Sequence, residues 1–148
     1  MNLILMRYSW VQLLKRFMAT PPAFSMAGVK MGLFTNNISP GPDTVLADLT
    51  EPTYASYAQA AATLPAGAFS DEDGKVFIDY GDLTWSLTTG DTPVTIIGAF
   101  IVDGTGQLLM AGKLDNPVTL TNPGDATLIG AQVVVDPVQL YGQFESEP

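Results

Sequence analysis

Cysteine and histidine are both absent from this chain of 148 residues. Without cysteine the chain has no thiol nucleophile, disulfide or thiolate zinc ligand, and without histidine it has no imidazole base or imidazole metal ligand. Ser-His and Cys-His catalytic arrangements are therefore excluded. Carboxylates remain as the only side chains that could serve as catalytic acids and bases.

Charged residues are also scarce, at 14% of the chain, whereas 47% of the residues are hydrophobic and 14 Gly and 11 Pro supply many turn formers. This balance is too apolar for a disordered polyelectrolyte and too poor in Glu, Lys and Arg for a protein made mostly of surface helices. The length is that of one domain with a single core. We therefore expect an all-β domain.

Positive charge is confined almost entirely to the start of the chain. The first thirty residues hold four of the six basic residues and no acid, whereas residues 31–148 hold all 15 acids and two lysines. An acidic body repels phosphate backbones, whose binding depends on Lys and Arg. We therefore expect no nucleic acid among its partners.

Residues 1–20 carry apolar side chains at spacings of three and four, which predicts an amphipathic helix ended by Pro21 and Pro22. The apolar run from Leu3 to Met6 is too short for a signal peptide, and no stretch is long enough for a transmembrane helix, so we expect no stable membrane insertion. Two interpretations of residues 1–30 stay open: an accessory N-terminal arm, or an upstream extension that the fold does not need.

From Gly32 onward, short β-type runs alternate with turn clusters. The run Val94–Val102 is too apolar for a strand with one wet face, which predicts a central strand covered on both sides. The sequence around residues 103–106 is a turn that leads into a hairpin, and Tyr54–Thr63 fits a helix and a strand equally. Further strands are predicted at residues 76–80, 83–88, 107–114, 118–121 and 129–135.

Strands at this spacing, with Gly, Pro, Asn and Asp between them, predict a β-sandwich or jelly roll. We place this β-sandwich domain at residues 31–142, after an N-terminal helix and arm at 1–30 and before an acidic tail at 143–148.

Two pairs of carboxylates could in principle flank a glycosidic bond: Asp79 with Asp82, or Asp71 with Asp73. These acids stand beside glycines in predicted turns, where Asp is favoured because it caps nearby backbone donors. The loop that begins at Asp71 also departs from a calcium-binding loop, since Phe69 stands where an acid is needed. We expect no enzyme activity, no cofactor and no bound metal.

The aromatic side chains divide into two predicted groups. Trp85 shares a strand face with Leu83 and Leu87, which predicts that it belongs to the core. Tyr54 and Tyr57 fit an interaction surface better than a cofactor pocket.

A series of short segments between about residues 31 and 136 follows a recognisable order and spacing. With Met31–Phe34 at its start, this series resembles small virion structural proteins of bacteriophages of the capsid decoration or head-associated type. The segments are residues 33–37 (LFTNN), 40–43 (PGPD), 45–51 (VLADLTE), 54–58 (YASYA), 97–103 (IGAFIVD), 106–109 (GQLL) and 117–120 (PVTL).

The resemblance implies a non-catalytic component of the virion that is made in the bacterial cytoplasm and binds the major capsid protein lattice as a decoration, cement or minor capsid protein. It also implies self-association into a homo-oligomer, for which a trimer would match a capsid's threefold axes. The alternatives are a tail, fibre or spike protein that binds the host surface and, third, a carbohydrate-active enzyme. The residues predicted at the partner interface are Leu33, Phe34, Leu46, Leu49, Tyr54 and Tyr57.

Overall fold

The computed structural model describes residues 4–7, 28–62, 69–72 and 75–135. Within these ranges the regular structure consists of β-strands, one short 3-10 turn, Leu46–Asp48, and one α-helical residue, Arg7. The strands are β1 (Ile4–Leu5), β2 (Lys30–Phe34), β3 (Ala60–Ala61), β4 (Phe69–Glu72), β5 (Lys75–Ser86), β6 (Val94–Val102), β7 (Leu108–Leu120) and β8 (Ala126–Val135).

The strands form two sheets in which every neighbouring pair is antiparallel. One sheet has the strand order β1-β7-β6-β2-β3, and the other has the order β4-β5-β8. The predicted all-β class is therefore confirmed.

The central strand of the larger sheet lies where the sequence predicts it. β6 spans Val94–Val102 and lies between β2 and β7, and its last residues are completely buried. The predicted turn follows it, since Asp103 Oδ1 accepts hydrogen bonds from the backbone N–H groups of Thr105 (2.8 Å) and Gln107 (3.0 Å). A continuous apolar run and an Asp-Gly turn are local signals, and both predictions are confirmed.

Several boundaries differ from the prediction. The runs predicted as separate strands at 76–80 and 83–88 form the single strand β5, which bulges between Asp79 and Asp82 where Gly81 adopts a φ of 73°. Likewise β7 runs through Pro117 instead of breaking before it. Pro117 lies where the register with β6 shifts, between the pairs Gly98–Lys113 and Ile96–Val118, and a bulge accepts proline because no ladder N–H is required there.

Over most of its described length, the Ala-rich segment 54–63 forms neither the helix nor the strand that its sequence fits equally. A turn at Tyr54–Tyr57 is followed by the two-residue strand β3. The acidic tail predicted at 143–148 lies outside the described residues.

Residues 4 and 5 form β1, so the helix predicted over 1–20 is wrong at these positions. They pair with Met110 and Ala111 of β7, and the next residue, Met6, donates its N–H to the Leu109 carbonyl at 2.9 Å. Met6 is 1% exposed and packs in the core. The strand at residues 4 and 5 depends on pairing with a distant segment, which the local helical period does not reveal. Arg7 is helical, as predicted, and residues 1–3 and 8–20 of the predicted helix lie outside the described residues.

One face of the larger sheet shares a core with the smaller sheet. The predicted core position of Trp85 is confirmed: it is 5% exposed, and its indole Nε1–H donates to the Ala58 carbonyl at 3.0 Å. Buried residues from both sheets belong to this cluster: Val29, Met31, Leu33, Ala62, Trp85, Ile96, Ala99, Ile101, Leu109, Met110 and Ile129.

The other face of the larger sheet is built from two reciprocal glycine and phenylalanine pairs. In the register between β2 and β6, Gly32 lies opposite Phe100 and Phe34 lies opposite Gly98. Each ring occupies the space that a Cβ on the opposite glycine would need, and both rings are 0% exposed. Met6 joins the same cluster, so this face is also covered.

We expect Gly98→Ala to lower the free energy of unfolding by roughly 3 kcal/mol, because overpacking a filled core forces shifts of side chains and backbone. The new methyl group would meet both the Phe34 ring and the Gly112 carbonyl oxygen, and a backbone oxygen cannot move aside alone. Gly41→Ala is the matched control, since nothing lies within 4 Å of its new Cβ. Urea unfolding of both variants measures the difference, and equal stabilities would contradict the packing described.

Candidate interaction surface

A long connection joins β2 to β3 and contains only the 3-10 turn as regular structure. We call residues 35–59 the β2–β3 connection. Loops of this length without strands or helices are uncommon in compact domains, and those that are ordered commonly serve binding or catalysis. Side-chain hydrogen bonds from Asn36 and Tyr57 hold this connection in place.

Asn36 joins the two ends of the first part of the connection by hydrogen bonds. Its side-chain Nδ2 donates to the Asp48 carbonyl at 2.8 Å, and its Oδ1 accepts the Thr50 N–H at 2.8 Å. Beside it, the Thr35 N–H donates to the Thr50 carbonyl at 2.8 Å. Side-chain and main-chain bonds together imitate one step of strand pairing, so the chain between Asn36 and Thr50 forms a closed loop.

The 3-10 turn places one apolar side chain outward. Asp48 Oδ2 accepts the Val45 N–H at 2.9 Å, and the Asp48 N–H donates to the Val45 carbonyl at 3.0 Å. Leu46 and Leu49 pack inward on the Phe34 and Phe100 cluster. Val45 is 55% exposed and is one of two large hydrophobic residues exposed in the described part of the chain.

The N-terminal segment and β7 border this surface. The Arg7 N–H donates to the Pro42 carbonyl at 2.8 Å, and its guanidinium forms an ion pair with Asp43, with Nε and Oδ1 2.9 Å apart. The ion pair is exposed and adds little stability. On the β7 side, Lys113 Nζ donates to Asn37 Oδ1 at 2.6 Å.

Tyr57 ties the second part of the connection to the edge of β2. Its hydroxyl donates to Glu51 Oε2 at 2.7 Å and accepts the Leu33 N–H at 2.9 Å. Gln59 Nε2 donates to the other Glu51 oxygen at 3.0 Å. Burial, assisted by the Glu51 carboxylate, raises the pKa of Tyr57 well above its usual value, so the hydroxyl remains a donor.

Tyr54 contacts Tyr57 edge to face, with ring centroids 5.6 Å apart, yet its environment differs. It is 4% exposed, and its hydroxyl finds no hydrogen-bond partner among the described residues. Burial, followed by the charge of Asp91, raises the pKa of Tyr54. The two tyrosines therefore have different roles: Tyr57 links segments, whereas Tyr54 fills space.

Four of the six residues predicted at a partner interface belong to the chain's own core, so in the single chain they offer no exposed surface to a partner. These apolar side chains pack against segments that are distant in sequence, and the sequence alone does not reveal those contacts. The buried four are Leu33, Phe34, Leu49 and Tyr54, and the partly buried two are Leu46 and Tyr57. The exposed neighbour Val45 was not among the predicted residues, and its sequence offers no signal that separates it from Leu46.

The carboxylates considered for catalysis are spread over the smaller sheet. Asp71 lies on β4 opposite Val76 of β5, and Asp79 and Asp82 flank the β5 bulge. Asp73 lies outside the described residues. Within the described part of the chain, no group of three or more His, Cys, Asp or Glu side chains is placed to hold a metal ion.

Two turns are held by carboxylates, and the first of them contacts the connection through Ser56. Asp91 Oδ2 accepts the Thr88 N–H at 2.7 Å and Asp91 Oδ1 accepts the Ser56 N–H at 3.1 Å, while both of these residues also donate their hydroxyls to Asp91. Bonds from Ser56 and then Thr88 lower the pKa of Asp91 to about 2. In the turn between β7 and β8, the N–H groups of Asn122 and Thr121 lower the pKa of Asp125.

Comparison of the chain with protein-family models, with curated proteins and with solved structures finds no match. In the described ranges, the chain has no helix with the length and apolar character needed to cross a membrane.

We expect Tyr57→Phe to destabilise the fold by about 1–3 kcal/mol, because it leaves the Leu33 N–H and the Glu51 carboxylate without a partner. Tyr54→Phe is the matched control and is expected to be neutral or slightly stabilising, because its hydroxyl has no partner to lose. Urea unfolding gives the two free energies, and amide exchange at Leu33 reports the local loss. Equal effects of the two substitutions would contradict the assigned roles.

We expect Asp91 to stabilise the folded chain above about pH 4 and to lose this contribution as the pH falls towards about 2. The sign follows because the folded-state pKa lies below the ordinary value of 3.8, so the folded state favours the ionised form. The stability difference between the parent chain and Asp91→Asn should shrink across that window in unfolding experiments. A difference that is constant from pH 6 to pH 2 would contradict the role of the charge.

Proposed function

We propose that this chain is a non-catalytic virion structural protein that binds the major capsid protein lattice as a decoration, cement or minor capsid component. The observation that carries the proposal is the β2–β3 connection, an ordered surface that is tied down by Asn36 and Tyr57 and presents Val45 outward. Four of the segments that resemble phage virion proteins fall on or next to this connection, at 33–37, 40–43, 45–51 and 54–58.

An ordered loop suits a protein whose task is binding. Association costs free energy for every loop and side chain that must be immobilised, and a connection already held by its own hydrogen bonds avoids much of that cost. The exposed Val45 supplies apolar area, and the exposed ion pair between Arg7 and Asp43, two positions before Val45 in the sequence, supplies charged groups. Protein interfaces combine apolar and polar groups.

The mechanism requires no chemistry beyond contact. A protein that binds the assembled lattice better than free subunits stabilises the lattice by mass action, because disassembly must also break its contacts. We propose that the two sheets pack as a β-sandwich that acts as the rigid body of this clamp. The shared cluster that contains Trp85 and Ile129 with Met31 and Ile101 supports this arrangement.

The first test is the ratio of this chain to the major capsid protein in purified virions, measured by quantitative mass spectrometry. Lattice decoration predicts hundreds of copies per particle. A few copies or tens of copies would favour a tail, fibre or spike instead, and complete absence from the particle would contradict a virion role.

The surface itself is tested in the same system with Val45→Asp, which we expect to weaken binding to capsids at least tenfold in co-sedimentation. Asp is tolerated at the position that precedes the 3-10 turn, so folding should be retained. Gln107→Asp, at the exposed turn between β6 and β7, adds the same charge and should bind normally. Equal binding of the two variants would remove Val45 from the interface.

A further inference from the structure

The outer edge of β8 differs from the margins of the larger sheet and from β4, the other edge of its own sheet, which is four residues long and contains Asp71 and Glu72. β8 pairs with β5 on one side and is the last strand of its sheet on the other. Its sequence, ATLIGAQVVV, contains no charge and no proline over its whole length. A long, uncharged edge strand presents unpaired N–H and C=O groups that readily accept another strand.

The margins of the larger sheet are protected by several devices. Its outermost strands, β1 and β3, contain two residues each. The part of β7 beyond the β1 pairing contains Lys113, Asp115 and Pro117, and these residue types discourage edge pairing. On the opposite side, the Tyr57 hydroxyl receives the Leu33 N–H that β3 is too short to pair. β8 has none of these features.

We propose that β8 pairs with β8 of a second copy of this chain, in antiparallel orientation about a twofold axis, so that the two small sheets become one continuous sheet. Self-pairing satisfies both exposed edges at once and is the isologous form of strand addition.

Charge favours this occupant. The chain carries a net charge of −9, so most of its surface repels a second copy. β8 is an uncharged segment, and pairing it with itself brings no acid against another acid. Leu128, the second large exposed hydrophobic residue, lies on this strand and is 63% exposed. The proposal does not depend on capsid binding.

Geometry restricts the register. In a continuous sheet with a perpendicular twofold axis, residues that lie opposite each other must point to the same face. Because side chains alternate between the two faces along a strand, the numbers of two opposite residues are both even or both odd. The twofold axis therefore passes through one residue, which lies opposite the same residue of the second copy. Centres at Gly130 or Ala131 retain nearly the whole strand, and in both registers Leu128 lies opposite a residue of the second copy.

Sedimentation velocity over a concentration series and hydrogen exchange of the 126–135 peptide test the proposal on the full chain. We expect a monomer–dimer equilibrium, with β8 amides that gain protection as the dimer forms. Leu128→Glu should raise the dissociation constant at least about tenfold, since it adds two acids beside the junction. Val45→Glu makes the same change in charge on the other exposed apolar residue and should dimerise like the parent chain.

Protection of β8 on dimerisation supports the proposal even where Leu128→Glu has a small effect, because main-chain bonds supply the pairing. A parent chain that remains monomeric, a trimer, or a dimer whose β8 amides stay unprotected would overturn it. Protection of the β8 amides that does not change with protein concentration would mean that other residues of the same chain pair with this edge. That result would overturn the proposal as well.

Discussion

The reciprocal packing of Phe34 on Gly98 and of Phe100 on Gly32 is the constraint on which the rest of the structure depends. Each ring fills the space above a glycine on the neighbouring strand, so β2 and β6 hold a single register. The result is a flat apolar layer on the face of the larger sheet that points away from the smaller one. The β2–β3 connection packs Leu49 on this layer. Its position, and hence the outward direction of Val45, follows from the two glycines.

Polar side chains supply hydrogen bonds along the edge of β2 and just beyond it, where no further strand pairs. The Tyr57 hydroxyl accepts the N–H of Leu33, which β3 is too short to pair. Asn36, just beyond β2, bonds the Asp48 carbonyl and the Thr50 N–H and so holds the first part of the connection beside the strand. The sheet edge is thereby closed, and its covering segment is available for contact with other molecules.

The sequence predicts those features that depend on neighbouring residues. The continuous apolar run of β6 and the Asp103 turn carry local signals, and both lie where predicted. The sequence does not predict the features that depend on pairing between segments far apart in the chain. Ile4 and Leu5 lie in a segment whose apolar spacing predicts a helix, but they pair with β7. Leu33 and Tyr54 are predicted at a partner interface, but segments distant in sequence bury them. Val45 and Leu46 are equally apolar neighbours, and only the geometry of the turn decides which of them faces solvent.

The pairing of β1 with β7 has a consequence for how the chain acquires its fold. Ile4 and its partner Ala111 are 107 positions apart in the sequence, so Ile4 is synthesised long before Ala111. The Gly32 and Phe100 pair is separated by 68 positions. Contacts of such high sequence separation slow folding, because chain closure must precede any gain from packing. β1 therefore cannot join the larger sheet until Ala111 has been made, and until then Met6 lacks Leu108 and Ala111, which share its core cluster.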